Sequence, residues 1–238
     1  MTRPRKLIGM VLLALLSVGG TAFTQYEEPR PYQPTELRAI SLGLSSIQFQ
    51  PKKSSGATDS TAIRIHTLIP MADLREGLLD VYFGYTRYSQ EGASHPAILV
   101  GLSVGTELPI LGKRSSSLLF PVLIAADFTR ADAQGAERNS FNVASVGLGI
   151  GLKYRMVSDA MDASLSAVAV AHYATEGFSV NTGFSGAFLA EFIAYFPEIP
   201  IGEGISVGYK FRFQTWSMPN MPVNYRMIVH GPSIGIAF

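Results

Sequence analysis

The chain has 238 residues, no cysteine, a formal net charge of +1, and only 16% charged residues. The absence of cysteine excludes disulfides and thiolate metal sites and speaks against a lipoprotein anchor. The low charge content and near-zero net charge give no support to nucleic-acid binding. Hydrophobic residues make up 47% of the chain, so a large apolar surface must be buried or placed in lipid.

Residues 1–22 have the pattern of a secretory signal peptide. Two arginines and a lysine within residues 3–6 form a positive start, and residues 7–18 form an apolar stretch too short to span a membrane. Small residues follow, and we expect cleavage after Ala22. Residues 23–36, which are rich in Pro and Glu, are predicted to form a flexible, solvated leader, with a partner-docking segment as the alternative.

From residue 37 onward, segments of alternating apolar and polar residues are separated by clusters of Gly, Pro, Asn, Asp and Ser, which favour turns. No apolar run there is long enough for a spanning helix. The alternation predicts ten β-strands that close into a barrel. They lie at about 37–49, 61–70, 78–89, 95–107, 117–129, 141–156, 163–175, 184–196, 204–217 and 225–238. If 61–70 does not pair, an eight-stranded barrel is the alternative.

The two faces of each predicted strand differ. In the ninth strand, bulky apolar residues from Ile205 to Phe213 alternate with Ser, Gly, Lys and Arg, and the sixth strand repeats the pattern. Alternation alone allows a soluble lipocalin-like barrel with the apolar face inside or a membrane barrel with it outside. The small residues of the polar face suit a crowded lumen, and aromatics recur near strand ends, as in interfacial girdles. These aromatics are Phe49, Tyr85, Phe128, Tyr173 and Trp216 at one end and Tyr154, Phe196 and Phe238 at the other.

The last predicted strand ends on a run in which Ile234, Ile236 and Phe238 alternate with small residues. This run resembles the C-terminal signature of bacterial outer-membrane β-barrels, in which the assembly machinery reads the terminal aromatic. The pattern of residues 37–238 resembles the small outer-membrane barrel superfamily, which holds OmpA-like, OmpX-like and OmpW- or opacity-like proteins.

The resemblance implies an all-β fold, a closed antiparallel up-and-down transmembrane β-barrel in the outer membrane of a Gram-negative-type bacterium. Residues 23–36 would then lie in the periplasm after the signal peptide has been cleaved. The implied partners are outer-membrane lipid, lipopolysaccharide and the barrel-assembly machinery, with an unidentified envelope protein as a further possibility. The resemblance carries over no functional residues.

Pro232 lies inside the last predicted strand, where it cannot donate a ladder hydrogen bond. We therefore expect a β-bulge there. The accompanying change of face would turn Met227 and Val229 outward and Arg226 and His230 inward.

Nine charged side chains are predicted to point into the barrel. They are Arg64, Asp80, Glu107, Asp127, Lys153, Arg155, Glu191, Lys210 and Arg212. Five basic and four acidic groups are close to balance, which predicts a salt-bridge network that fills a narrow lumen. A small pore is the second interpretation, because ten strands lie between filled and water-filled barrels. Three glycines in residues 147–151 leave space that we expect Tyr82 and Tyr88 to fill.

No catalytic site is predicted. His66 and His172 are expected to face inward, and His172 is placed to pair with Glu191 on the next strand. Residues 172–174 do not match the His-x-Ser pattern of lipid A deacylases, and no loop carries the Asp/His arrangement of outer-membrane proteases. No spaced His/Asp/Glu cluster suggests a metal, so neither a metal nor another cofactor is expected.

The sequence therefore favours a non-enzymatic barrel with a structural role in the envelope and a largely plugged lumen. A narrow channel for small or hydrophobic solutes, a surface-binding protein and a subunit of an envelope complex are the alternatives. The loop at 217–222 is unusually apolar. It contacts lipid, covers the lumen or binds a partner, and the sequence does not distinguish these roles.

Overall fold

The computed structural model describes residues 38–52, 62–90, 92–113, 115–132, 140–177, 181–197, 199, 201–219, 221 and 223–238. The predicted signal peptide, 1–22, and leader, 23–36, lie outside these described residues. No helix among them is long and apolar enough to cross a membrane. The strands are β1 (Arg38–Pro51), β2 (Ile65–Glu76), β3 (Leu79–Gln90), β4 (Ala93–Lys113), β5 (Ser116–Ala131), β6 (Phe141–Val157), β7 (Asp162–Glu176), β8 (Thr182–Phe196), β9 (Gly204–Ser217) and β10 (Tyr225–Ala237).

The ten strands form one closed antiparallel barrel in which each strand pairs with its neighbours in the chain. β1 also pairs with β10, with Ala39 opposite Ala237, which closes the sheet. Closure leaves no sheet edge with unpaired backbone groups, a requirement inside a bilayer. The ten-stranded prediction is confirmed, and the eight-stranded alternative is wrong because β2 pairs with both β1 and β3.

The connections alternate between the two ends of the barrel. We call the end with the β2–β3, β4–β5, β6–β7 and β8–β9 connections the turn end, and the opposite end the loop end. β1 begins and β10 ends at the turn end. Gly77 has a φ of 59° in the two-residue turn between β2 and β3. This conformation favours glycine, and it lets the two strands join in a tight hairpin.

Large apolar side chains cover most of the outer surface. Leu42, Leu148 and Phe184 are among the most exposed, at 63%, 66% and 72%. So large a continuous apolar surface is unfavourable in water and favourable in hydrocarbon. The barrel therefore spans a membrane with its apolar face outward. Tyr85, Tyr154, Tyr173 and Phe238 are exposed on this surface, as the girdle prediction requires.

Two of the predicted girdle aromatics were assigned to the wrong face. Phe49 and Trp216 are each only 1% exposed and point into the barrel at the loop end. In this region the apolar side chains face inward, and the neighbouring outward positions, such as Gln48 and Ser217, are polar. At the loop end, the strands therefore have apolar residues inside and polar residues outside, as in a water-soluble barrel.

The predicted bulge and change of face at Pro232 are also wrong. The β10–β9 register runs without a shift from Arg226 opposite Thr215 to Ala237 opposite Gly204. Met227 and Val229 are buried in the lumen, while alternation puts Arg226 and His230 on the outer face. Along β10 the apolar residues are on the outer face near the turn end and on the inner face near the loop end. The backbone alternates regularly through this change. A register shift does occur between Pro109 and Leu111 of β4.

Candidate functional site in the barrel lumen

An apolar core fills the lumen at the loop end. Its centre is aromatic: Phe49 stacks on Tyr225 with ring centroids 4.7 Å apart, and Phe141 lies edge-on to Phe49 and to Trp216 at 5.0 Å from each. Aromatic pairs in such geometries add to the stabilisation from burial itself. We call this cluster the loop-end core. Its buried members are Ile47, Phe49, Ala62, Ile63, Ile65, Ile69, Tyr88, Ala97, Leu99, Ala131, Phe141, Val143, Ala174, Trp216, Met218, Val223, Tyr225, Met227 and Val229.

Connections between strands complete the loop-end core. Ile63, which precedes β2, is fully buried, and its backbone N–H donates to the Tyr225 hydroxyl at 3.2 Å. Met218 and Val223 of the β9–β10 connection are buried, and Met221 packs against the loop-end core. Of the three roles open for the apolar residues 217–222, the described part of this loop therefore fits a cover over the lumen.

Below the loop-end core, four side chains from alternate strands meet in the middle of the lumen. Asp127 on β5 lies 2.6 Å from the Arg212 guanidinium on β9 and 3.0 Å from His172 Nε2 on β7. Tyr82 on β3 donates from its hydroxyl to Asp127 Oδ1 at 2.9 Å and also contacts Arg212. We call these residues the cross-lumen quartet, because together they join four walls of the barrel.

Further hydrogen bonds orient the quartet. Arg212 donates to Gln214 Oε1 at 2.7 Å, and the Gln214 amide donates to the Ser185 hydroxyl at 3.0 Å. Gln214 is fully buried. His172 lies against Asp127, so its predicted pairing with Glu191 is wrong. Contacts in this quartet cross the lumen, whereas the prediction for His172 considered only the next strand of its hairpin.

A second polar group, the turn-end network, lies nearer the turn end. Arg75 binds both carboxylate oxygens of Glu191 at 2.8 Å, and Lys210 donates to Asp73 at 2.7 Å. Asp80 Oδ2 lies 3.4 Å from Arg75 and 3.6 Å from Lys210. These five residues come from β2 and β3 on one side and from β8 and β9 on the other, so the network also spans the lumen.

Two more ion pairs join side chains of β4, β6 and β7. Lys153 on β6 donates to Glu107 on β4 at 2.7 Å. Arg155 on β6 donates to Asp162 on β7 through two nitrogens, at 2.6 Å and 3.0 Å. A two-point arginine–carboxylate contact fixes geometry as well as charge.

The structure places eight of the nine predicted lumen charges around one internal cavity. Arg64 is the exception, because it precedes β2 and is exposed. His66, which was predicted to face inward, is also exposed, on the outer side of β2. The prediction missed Asp73 and Arg75 because it ended the second strand at residue 70. Continued alternation of Asp73 and Arg75 with apolar Ala72 and Leu74 was the signal that would have revealed them.

The cavity has a volume of about 260 Å³. Its lining begins at Gly77 and Leu78 in the β2–β3 turn and reaches His172 and two members of the loop-end core, Leu99 and Val229. Among the described residues, no loop-end connection contributes to the lining. The cavity is therefore open toward the turn end only, as far as the described residues extend.

The prediction that the glycines of β6 make room for Tyr82 and Tyr88 is wrong. A Cβ on Gly149 would lie 2.8 Å from Leu123 and 3.0 Å from Val170, and at Gly147 and Gly151 it would collide with the backbone of β7. Tyr82 packs instead against Gly101 of β4, where a Cβ would overlap its ring. The β6 glycines therefore allow close packing of neighbouring walls.

The lumen offers ion pairs, a buried Asp–His contact and an apolar wall. No group of three or more His, Asp or Glu side chains in the described ranges is arranged to hold a metal ion. Ser185 Oγ accepts a hydrogen bond from Gln214, and His172 lies against Asp127. This chemistry suits structural bracing and the binding of a small ligand.

No family model and no curated protein sequence matches the chain. Several solved outer-membrane barrels resemble it in fold. The outer membrane protease OmpT from Escherichia coli is 10% identical, with 89% of this chain and 99% of that chain covered and a TM-score of 0.36. Neisserial surface protein A is 10% identical, with coverages of 84% and 97% and a TM-score of 0.34. The translocator domain of the autotransporter NalP from Neisseria meningitidis is 12% identical, with coverages of 98% and 96% and a TM-score of 0.33.

These TM-scores are low, and the outer-membrane location therefore follows from the architecture of the barrel and from its outer surface. A closed antiparallel sheet of ten strands with an apolar, aromatic-bordered outer surface has the architecture of bacterial outer-membrane barrels. The protein is located in the outer membrane, and its apolar outward side chains contact lipid.

Proposed function

We propose that the protein is a non-enzymatic, non-conducting barrel with a structural role in the outer membrane. The observation that carries this proposal is the loop-end core, which fills the width of the lumen. Its residues Phe49, Phe141 and Trp216 are each only 1% exposed. Water and ions do not pass a packed apolar core of this kind. The cross-lumen quartet adds a second closure below it.

The orientation follows the rule that short turns face the periplasm and loops face outward. The turn end, with its open cavity, then faces the periplasm, and the loop-end core closes the lumen toward the outside. The polar outward positions at the loop end, among them Gln48, Arg87 and Arg130, would lie at or above the lipopolysaccharide headgroups.

Single-channel recording in planar bilayers tests the proposal. The mature protein, residues 23–238, is refolded, and heat-modifiable gel migration verifies that the barrel has formed. We expect no steady openings under conditions in which a general porin conducts. Steady, reproducible openings of the unmodified protein would overturn the proposal.

A narrow channel is the second candidate, because the cavity already extends from the turn end to the middle of the barrel. If the protein conducts, Lys153→Gln and Arg212→Gln should change the conductance with little loss of stability. In a closed barrel the same changes should lower the free energy of unfolding, and no channel openings should be recorded.

We further propose that Phe238, with Ile236 and Ile234, forms the signal read by the barrel-assembly machinery. All three side chains are at least half exposed on the outer surface, where another protein can reach them during insertion. Phe238→Ala should reduce the amount of heat-modifiable barrel in the outer membrane without affecting refolding in vitro. Phe196→Ala, at an outward position at the same end, is the control, and equal losses from both variants would contradict this role.

A further inference from the structure

The cavity at the turn end has two unlike walls. On one side lies the turn-end network, with three carboxylates and two basic groups. Along another part of the lining, Leu123, Val168 and Leu189 form an apolar surface with two alanines. Counted over the whole lining, six carboxylates face five basic side chains. One histidine, His172, also lines the cavity, which is thus amphipathic.

Asp80 is the least neutralised of these carboxylates. Its Oδ2 is 3.4 Å and 3.6 Å from its two nearest cations, whereas the main contacts of Glu191 and Asp73 are 2.8 Å and 2.7 Å. Asp80 Oδ1 is buried and accepts no hydrogen bond from the described residues. The side chain still has 28% of its surface exposed, and it lines the cavity. A partly buried carboxylate in this state favours a further cation.

We propose that the cavity binds a small organic cation, a primary ammonium carried on an apolar chain. The ammonium lies against Asp80, and the chain lies along the wall formed by Leu123, Val168 and Leu189. A cavity of about 260 Å³ has room for on the order of eight water-sized groups, which suits a chain of about six carbons. A ligand with a carboxylate in place of the ammonium would bring a second negative charge against Asp80.

Isothermal titration calorimetry on the refolded protein in uncharged detergent micelles tests this assignment. Hexylammonium, hexanoate and hexanol share one apolar chain and differ in charge, and heats measured with empty micelles are subtracted. We expect hexylammonium to bind at least tenfold more tightly than either of the other two. Equal affinities for hexylammonium and hexanoate would overturn the proposal.

Asp80→Asn tests the contact itself. The change keeps the shape of the side chain and leaves the turn-end network with two carboxylates and two basic groups, so the barrel should still fold. We expect hexylammonium binding to weaken at least tenfold. Asp132→Asn is the matched control, because Asp132 pairs with Arg130 at the loop end, outside the cavity, and it should bind like the unmodified protein.

Val168→Thr tests the apolar wall. It keeps the volume and the charge but places a hydroxyl along the path of the chain, so we expect binding to weaken several-fold. Unchanged binding in Asp80→Asn would refute the site even if hexylammonium binds the unmodified protein. If that variant does not fold, the comparison of the three ligands on the unmodified protein still decides. Conduction by the barrel would refute the proposed function, but it would not affect the conclusion drawn from these binding measurements.

Discussion

The two ends of the barrel share one sheet but have opposite faces. Toward the turn end, bulky apolar residues face outward and small or charged residues face the lumen. Toward the loop end, aromatic and aliphatic residues fill the lumen and the outward positions are largely polar. The difference shows that the surroundings of the barrel, lipid or water, decide which face of a strand is apolar.

β1 shows both arrangements in a single strand. Near the turn end, Ile40 and Leu42 face outward and Ser41 faces inward. Near the loop end, Phe49 faces inward and Gln48 outward. The backbone alternates regularly throughout, as its unshifted register with β2 demonstrates. A change in the apolar parity of a strand can therefore mark the edge of the membrane.

Trp216→Ala is the change expected to separate the two ends most strongly. Removing a fully buried Trp from the loop-end core should lower the free energy of unfolding by about 4 kcal/mol, because its neighbours cannot fill the space. Urea unfolding in micelles measures the loss. Phe184→Ala, at an outward position of the same end that is 72% exposed, is the control and should cost clearly less. Equal losses would mean that the loop-end core is not a packed core.

Arg212→Ala tests the cross-lumen quartet at the boundary between the two ends. It leaves the buried Asp127 without its basic partner and should lower the free energy of unfolding by about 3 kcal/mol. Arg130→Ala removes an exposed pair with Asp132 and should cost less than about 1 kcal/mol. Arg212→Ala combined with Asp127→Asn should recover part of the loss, and a double variant worse than the sum of the single ones would argue against the pairing.

Ile150→Arg probes the extent of the lipid belt. Ile150 is the middle outward residue of β6, between Val146 and Tyr154, and all three are exposed. A charge at this depth should cost about 2–3 kcal/mol in bilayer unfolding measurements. Gln48→Arg, outward at the loop end, should cost less than about 1 kcal/mol. Similar costs at both positions would place both ends of the barrel in the same surroundings.

Tyr209→Phe is expected to have the smallest effect. The Tyr209 hydroxyl lies 2.8 Å from His230 Nδ1 on the outer surface of β9 and β10. Losing that bond should cost about 1 kcal/mol, because His230 keeps a polar nitrogen without its partner near lipid. Combining Tyr209→Phe with His230→Leu removes both polar groups, and unfolding should then return close to that of the unmodified protein. No recovery would place His230 in water.

Much of the fold could be predicted from the residues. Alternation and turn clusters revealed all ten strands, and β9 was predicted with the bounds that the structure has. The bounds of β2 were less clear, and that error hid Asp73 and Arg75. Partners in the lumen were beyond prediction, because Asp127 meets Arg212 and His172 across the barrel from strands that are not its neighbours.

The sequence by itself determined the strands and the closed barrel, because a period of two residues specifies the faces of a strand and turn residues specify its ends. Only the tertiary structure decided which side chains meet in the lumen. Closing and tilting the sheet bring distant strands to one level, and the depth of each residue in the membrane follows from that geometry. For this reason Trp216 and Phe49, which have the residue types of a membrane girdle, form the core of the loop end.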